Sequence, residues 1–520
     1  MKEVPVFGLF ELGWQEDAKG GNPFLEPPRL MTVRHDEGDS WEIAGFCDDT
    51  EGTQFAARFM PQRAGRYSAE VRIGDRVVRE SFVAVDRGLP GIPRAKGWHF
   101  AWSGSGEPFY PNSTTAYMLF GLEESVARAA LDRLADQGIN RIRVALSPSR
   151  QDDGSRWMEP QVAERDDFTY KYSPWVLGDP GNARQPQTDV TRFDVGFWHK
   201  VDRIVAHAQS RGIVSEIIFF LDGADEGNYP FEKFRVSASD PDEDRYYAYA
   251  VARLGAFSHL EWCVTNEWTL FQTDEWVERQ GALIAEMDPY GHPLSVHGHG
   301  HFPFRASSWC THALFQVWDE HGGHEWALRE RAEMLKAGQV KPIFNEEFGY
   351  EGHYSFPWGE ARVAPARSAE TRLRIAWGIA MAGCYSTDGE TAKPGLGGWI
   401  NGLNEGESEL LIGRQRMGEF FSSFDLASCE PDDDSASGDA WVLRGADQIA
   451  VFLPNGGQTS VHVPEGRWDV RQFDPRSGWW EELLRDQELF RQPEWRGWVS
   501  PFIEFGRPMA FLIARSTLAE

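Results

Sequence analysis

The sequence predicts an α/β chain in three parts, a (β/α)8 TIM barrel flanked by small N-terminal and C-terminal β-sandwich domains. Three observations carry that expectation. Short apolar runs alternate with amphipathic helical patterns between about residues 97 and 425. Period-two alternation dominates on either side of that stretch. At 520 residues, the chain is also too long for one ordinary core.

Residues 1–92 form the first expected domain. Ala56-Ala57-Arg58-Phe59-Met60 and Tyr67 to Ile73 alternate in the manner of half-buried strands, and Gly74-Asp75 predicts a hairpin turn before Arg76-Val77-Val78. Gly88 to Pro93 reads as a linker. The barrel is expected over residues 93–425, with strand ends near Asn112, Leu146, Asp222, Thr265, His297, Val317, Asn345 and Thr387. Helical stripes lie between them: Leu122, Val126, Ala130 and Leu134; Phe197, Val201, Ile204, Val205 and Ala208; Leu373, Ala376, Trp377 and Ala380. A further stripe of Trp276, Leu283, Ile284 and Met287 is broken by Gln280. Such stripes are ordinary core packing. Two long stretches, Ser147 to Asp194 with Trp157, Phe168, Tyr170, Tyr172 and Trp175, and Asp388 to Gly406, are expected to wall a cleft on the C-terminal face. Residues 426–520 return to β, with strands at Ile449–Leu453 and Pro508–Ala514 and a turn at Phe473 to Gly478.

A net charge of −28 argues against nucleic acid and anionic membranes as partners, because both require clustered Lys and Arg. It leaves a neutral carbohydrate substrate open, and the 22 tryptophans suit sugar faces as well as cores. The five cysteines are widely spaced without a CxxC pair, so neither a disulfide framework nor a zinc site is indicated. No run approaches the roughly 18 apolar residues of a membrane span. Met1 to Gly8 carries no charged-then-apolar leader, and a cytoplasmic chain is expected. Assembly as a homo-oligomer stays open.

The chemistry rests on two stretches. Lys341-Pro342-Ile343-Phe344-Asn345-Glu346-Glu347-Phe348-Gly349-Tyr350 reads as a short buried strand that ends in carboxylates, with Pro342 tolerated at its start and Gly349 permitting a sharp turn. Eighty residues earlier, Leu260-Glu261-Trp262-Cys263-Val264-Thr265-Asn266-Glu267-Trp268 is again an apolar run that ends in a carboxylate. These runs occupy the fourth and seventh places in the strand count. Carboxylates at two strand ends can face one another across the top of a barrel. A pair about 5–5.5 Å apart can act as acid/base and nucleophile in retaining glycoside hydrolysis.

Thr265-Asn266-Glu267 and Asn345-Glu346-Glu347-Phe348-Gly349 resemble the fourth- and seventh-strand signatures of clan A retaining glycoside hydrolases. That resemblance implies an acid/base role for Glu267 and a nucleophile role for Glu347. Glu347 is preferred over Glu346 because it directly precedes Phe348-Gly349, and neighbouring strand residues point to opposite faces. Arg143, in Asn140-Arg141-Ile142-Arg143-Val144, matches the second-strand arginine that supports the nucleophile in this clan, and Asn266 the residue that binds the sugar 2-hydroxyl. Asn112 to Tyr117 and Tyr350-Glu351-Gly352 are similar to apiosidase-like barrels. The N-terminal stretches Phe7 to Glu11, Asn22 to Phe24 and Arg58 to Pro61 look like the uncharacterised sandwich that precedes many such barrels. Phe473 to Gly478 resembles the small β-domain named for collagen binding.

The chain departs from the clan where sugar contacts are usual. The sixth strand, Leu314 to Trp318, lacks the tyrosine that contacts the nucleophile in many clan members, and the eighth, Cys384 to Gly389, lacks the tryptophan that floors the sugar, which leaves Gln316, Trp318 and Asp388 for those places. Glu346 stands beside the nucleophile as a supporting neighbour. Asp222 reads either as a substrate contact or as a helix cap. His297, His299 and His301 alternate and could converge on a metal, but the reading taken assigns no metal and no cofactor, with His297 bonding substrate. The sequence therefore points to a retaining O-glycosidase, exo-acting on oligosaccharides or small glycosides. The alternatives are a transglycosidase with the same pair, a carbohydrate-binding protein on a dead barrel, or a metal-dependent hydrolase.

Overall fold

The computed structural model describes residues 1–17, 20–147, 166–167, 172–179, 187–221, 229–236, 239–351, 368–389, 408–489, 491–492 and 495–516. Its centre is a nearly closed parallel sheet. In chain order the strands are Ser113–Thr115, Arg141–Ala145, Val214–Ile218, Leu260–Cys263, a fifth in two pieces (Leu294–Ser295 and His297–His299), Ala313–Gln316, Ile343–Asn345 and Tyr385–Asp388. The two pieces of the fifth strand form the two edges of the sheet and are separated by Val296 alone. The first piece pairs with the fourth strand and the second with the sixth. The His297 N–H still donates to the Thr265 carbonyl at 3.1 Å, so the ring is interrupted at one residue.

Every strand of this sheet is flanked by buried apolar residues, as a parallel sheet covered on both faces requires. Val126, Ala130 and Leu134 lie along the helix Glu124–Asp136, with Leu122 just before it, and Phe197 to Ala208 along Val195–Ser210. Gln280 does not break its helix, Asp274–Met287: it is fully buried beside Trp276 and Ile284, with Leu283 and Met287 half-buried. The helix Pro241–Leu254 starts on an Asp240 cap followed by Pro241, a combination that satisfies the first-turn N–H groups and presets φ. One strand end is corrected. Asn112 precedes the first strand instead of closing it, and its amide donates to the Gly138 carbonyl at 2.9 Å. Below the sheet, the short antiparallel strands Pro93–Lys96, His99–Trp102 and Pro108–Phe109 bring Phe100 against the rings of His312, Phe344 and Tyr385, which plugs the end opposite the carboxylates.

The N-terminal residues form a five-stranded and a three-stranded sheet around Phe10, Met31, Val33, Phe59, Tyr67 and Phe82. The Gly65–Ile73 and Arg76–Val85 strands pair through the expected turn at Gly74. The C-terminal residues form a six-stranded and a three-stranded sheet around Val451, Trp468, Phe511 and Ile513. Trp377 on the helix Ala369–Met381 stacks on Phe452 at 4.6 Å and ties this region to the central sheet. All five cysteines are free and buried. No helix among the described residues is long and apolar enough to cross a membrane. Most of the two long stretches, including Trp157, Phe168 and Tyr170, lies outside the described residues. Tyr172 and Trp175 are buried against Phe197 and Tyr246.

Candidate active site

Glu267 and Glu347 both follow C-terminal strand ends of the central sheet. Glu267 adopts φ 50°, ψ 48°, a left-handed conformation that costs a non-glycine residue of order 1 kcal/mol or more and is found where geometry is held for function. What holds it is the segment that follows. Trp268 is fully buried, donates its Nε1–H to Asp274 at 3.0 Å, and packs so closely on Gly298 that a side chain there would enter its ring. The Glu267 carboxylate stands 3.0 Å from His299 Nε2.

Glu347 is nearly buried, at 5% side-chain exposure. Its Oε1 accepts a hydrogen bond from the Tyr117 hydroxyl and lies 3.4 Å from Arg143 Nη1. His297 Nε2 is 3.9 Å away. Burial pushes the Glu347 carboxyl above its ordinary range, Arg143 and Tyr117 pull it down, and the nearby Glu267 charge pushes it up again. His297 and His299 sit one strand repeat apart, about 6.6 Å along the fifth strand, and each reaches a different carboxylate. The two acids are close enough for the Glu267 charge to act on Glu347. The turn after Glu347 needs Gly349, whose φ is 141° and whose Cα faces the Arg372 guanidinium; Arg372 in turn donates to the Phe348 carbonyl at 3.1 Å.

Arg143 is fully buried and does not reach the cleft surface. It acts through others: Nη1 donates to the Tyr117 oxygen at 2.7 Å and Nη2 to Asn266 Oδ1 at 2.9 Å. Because a guanidinium only donates, it fixes the Asn266 oxygen inward and leaves the amide N–H groups for the cleft. Glu346, expected beside the nucleophile, is a core residue. Lying just past the strand Ile343–Asn345, it escapes strict alternation and turns inward with Glu347. It is fully buried, 3.0 Å from Arg141 Nη1 and 3.3 Å from Arg143 Nε. Asp388 is also fully buried, with Arg414 Nε 3.5 Å away, and burial pushes its carboxyl up to about 6. Asp222 lies outside the described residues.

Gln316 pairs in register with His299 on the neighbouring strand, is 4% exposed, and has no hydrogen-bond partner on either amide atom. His297 is fully buried with neither ring nitrogen hydrogen-bonded, and burial beside Arg143 holds the ring neutral. Trp318 is 8% exposed and meets Tyr350 edge to face at 5.6 Å. The three histidines do not converge. His301 lies 3.5 Å from Asp274 on the outer side of Trp268, and no group of three metal-binding side chains exists among the described residues.

Sequence reasoning missed Tyr117, which makes from just past the first strand the contact with Glu347 sought on the sixth, and Arg141, Glu216 and Glu261, which sit beneath the site. For the latter three the signal was present, as charged residues inside apolar strand runs. Two cavities, of about 330 Å³ beside Phe24, Phe193 and Tyr249 and about 450 Å³ beside Trp377, Asn455 and Arg476, lie at the seams with the flanking sheets, away from the carboxylates.

With this geometry in place, comparison with known proteins decides the family. The apiosidase-like catalytic domain family matches residues 96–387, more than half the chain. The chain belongs to the apiosidase-like family. A domain of unknown function, DUF5060, matches residues 3–73 of this apiosidase-like protein. None of the curated proteins matches it. Among solved structures, it is similar to a presumed glycoside hydrolase from Bacteroides vulgatus (TM-score 0.77, 21% identity, 99% of this chain and 100% of that one). A protein named glycoside hydrolase aligns with a TM-score of 0.62 at 15% identity over 83% of this chain and 98% of that one. A family 5 glycoside hydrolase from Bacteroides vulgatus aligns with a TM-score of 0.61 at 15% identity over 82% and 94%. The apiosidase-like chain thus has the barrel fold of glycoside hydrolases.

Proposed function

We propose that this apiosidase-like protein is a retaining O-glycoside hydrolase of the clan A type. On this reading the central sheet is a (β/α)8 barrel over residues 93–425, between β-domains at 1–92 and 426–520. The observation that carries the reading is the pair itself. Glu347 is held by Arg143 and Tyr117, and Glu267 by His299, each just past a strand end of the central sheet.

The positive charge of Arg143 and the Tyr117 hydrogen bond favour ionised Glu347, which attacks the anomeric carbon. Protonated Glu267 donates to the leaving oxygen, and the bond from carbon to that oxygen breaks as the glycosyl ester to Glu347 forms. Glu267 then takes a proton from water, which attacks the same carbon and releases Glu347. Asn266, oriented by Arg143, donates to the sugar 2-hydroxyl, a contact that strengthens in the transition state. Gln316 and His297 offer unpaired polar atoms to further hydroxyls, and Trp318 an apolar wall. Their burial supports a pocket for a terminal sugar, and so exo action on oligosaccharides or small glycosides.

The test is turnover of a panel of aryl pyranosides and furanosides. Glu347→Gln should abolish hydrolysis of whichever substrate is cleaved, and NMR of the first-formed sugar should show the anomeric configuration retained. Near-normal rates in the variant, or an inverted product, would overturn the assignment.

A further inference from the structure

Beneath the two cleft carboxylates lies a second layer of charge that the reaction does not use directly. Arg141 and Arg143 project into the barrel from the second strand. Glu216 on the third strand and Glu261 on the fourth project beside them, with Glu346 from the seventh. All five are fully buried. Glu216 and Glu261 are direct partners in register on adjacent parallel strands, which places them about 4.8 Å apart. Both use Oε2 on one guanidinium: Arg141 Nη2 donates to Glu216 at 2.7 Å, and Arg141 Nε to Glu261 at 2.8 Å. Each is left with a buried Oε1 that has no hydrogen-bond partner.

Among the described residues, the groups that face this pair supply no further cation. Arg143 Nε stands 3.4 Å from Glu216 but is shared with Glu346 at 3.3 Å, and Nη1 serves Glu347 and Tyr117. Cys263 on the fourth strand is a neutral thiol beside Glu216. His292, below Glu261, is committed to Asp288 at 2.9 Å. His312, just before the sixth strand, and His297 on the fifth are both held neutral by burial and by neighbouring positive charge. From the eighth strand Thr387 and from the first Ser113 offer only hydroxyls, to Arg141. Two guanidiniums thus face four carboxylates once Glu347 is counted. An unpaired buried carboxylate oxygen is costly, and like charges side by side do not both ionise readily.

We infer that Glu216 and Glu261 share one proton between their Oε1 atoms, one donating to the other, and act together as positioning residues for Glu347. The shared proton satisfies both orphaned oxygens at once. It also reduces the negative charge drawing on Arg141 and Arg143, so that Arg143 remains available to Glu347. The electrostatics agree in direction: burial raises the Glu261 carboxyl above its ordinary range and pushes Glu216 up to about 7.

Three measurements on the full chain test this. Infrared difference spectra at pH 6 between wild type and Glu216→Gln, and between wild type and Glu261→Gln, should each show the loss of one protonated carboxyl band. If neither variant loses a band, both acids are ionised and the inference fails. Thermal melts are the second measurement. A carboxyl raised in the folded state holds its proton there while the unfolded chain releases it. Wild-type stability should therefore fall as pH rises from about 4.5 to about 7, and either Gln variant should flatten that fall. An unchanged slope in both would overturn the pair. The third arm rests on the assignment of Glu347 as nucleophile. The double variant, with both acids as Gln, should move the acidic limb of kcat/KM to lower pH by about one unit, a tenfold change in the ionisation constant. Either single variant should leave that limb in place. An unmoved limb in the folded double variant would remove the link to Glu347, and an inactive wild type would void the functional reading while the infrared and melting results stand.

Discussion

The Tyr117 hydroxyl donates to Glu347 Oε1 while its oxygen accepts an N–H from Arg143 Nη1 at 2.7 Å. The phenol is therefore a relay. It carries the stabilising influence of a buried guanidinium to the proposed nucleophile, and because burial holds it far from ionisation, it keeps its proton and donates it to Glu347. Tyr117→Phe removes this bond without changing the ring. We expect kcat to fall by about 10- to 100-fold, the usual cost of one preorganised donor or somewhat less. The acidic limb of the kcat/KM profile should move to higher pH, because a contact that favours the ionised form is gone. A variant with wild-type rate and profile would show that Arg143 alone suffices.

Among the described residues, Glu267 is paired with His299 and with no arginine. A general acid matters most when the leaving group is poor. Glu267→Ala should thus retain measurable cleavage of glycosides with activated phenol leaving groups, and azide should accelerate it by capturing the glycosyl ester. His299→Ala should lose about tenfold on poor leaving groups and much less on activated ones. Equal losses on both classes would argue that His299 acts on something other than the proton donor.

Gly298 separates the two histidines and lies flat against Trp268. Gly298→Ala forces a methyl group into that indole, an overpacking that costs about 1–3 kcal/mol. We expect a lower melting temperature together with impaired activity, because Trp268 is the residue after Glu267. Preserved activity in a destabilised protein would separate the packing from the placement of the acid.

Asp388 provides a pH test away from the pair. Its carboxyl is raised from about 3.8 to about 6 by burial, so the folded state favours its protonated form. The associated stabilisation is present below about pH 4 and is lost as pH rises to about 6. It amounts to about 3 kcal/mol at most, from the size of the shift. Asp388→Asn should flatten the melting-temperature profile across that interval. A profile that falls as in wild type would assign the dependence elsewhere.

Much of this protein was legible along the chain. Helix stripes, hairpin turns and the alternation of the outer sheets are local periodicities, set by 3.6-residue and two-residue repeats that hold wherever one face is buried. The two strand-end glutamates were visible for the same reason, as polar residues closing apolar runs. Asn266 before Glu267, and Phe348-Gly349 after Glu347, marked them further. What could not be read there was direction and partnership. Glu346 and Glu347 were expected on opposite faces, yet both turn toward Arg143, because the strand has already ended at Asn345. Tyr117 meets a carboxylate 230 residues away. Glu216 and Glu261 look like isolated charges in apolar strands until the register sets them side by side on Arg141. Secondary structure follows from neighbours in sequence, whereas the charge state of a buried carboxyl follows from neighbours in space. Only the closing of the sheet brought four acids and two arginines within reach of one another.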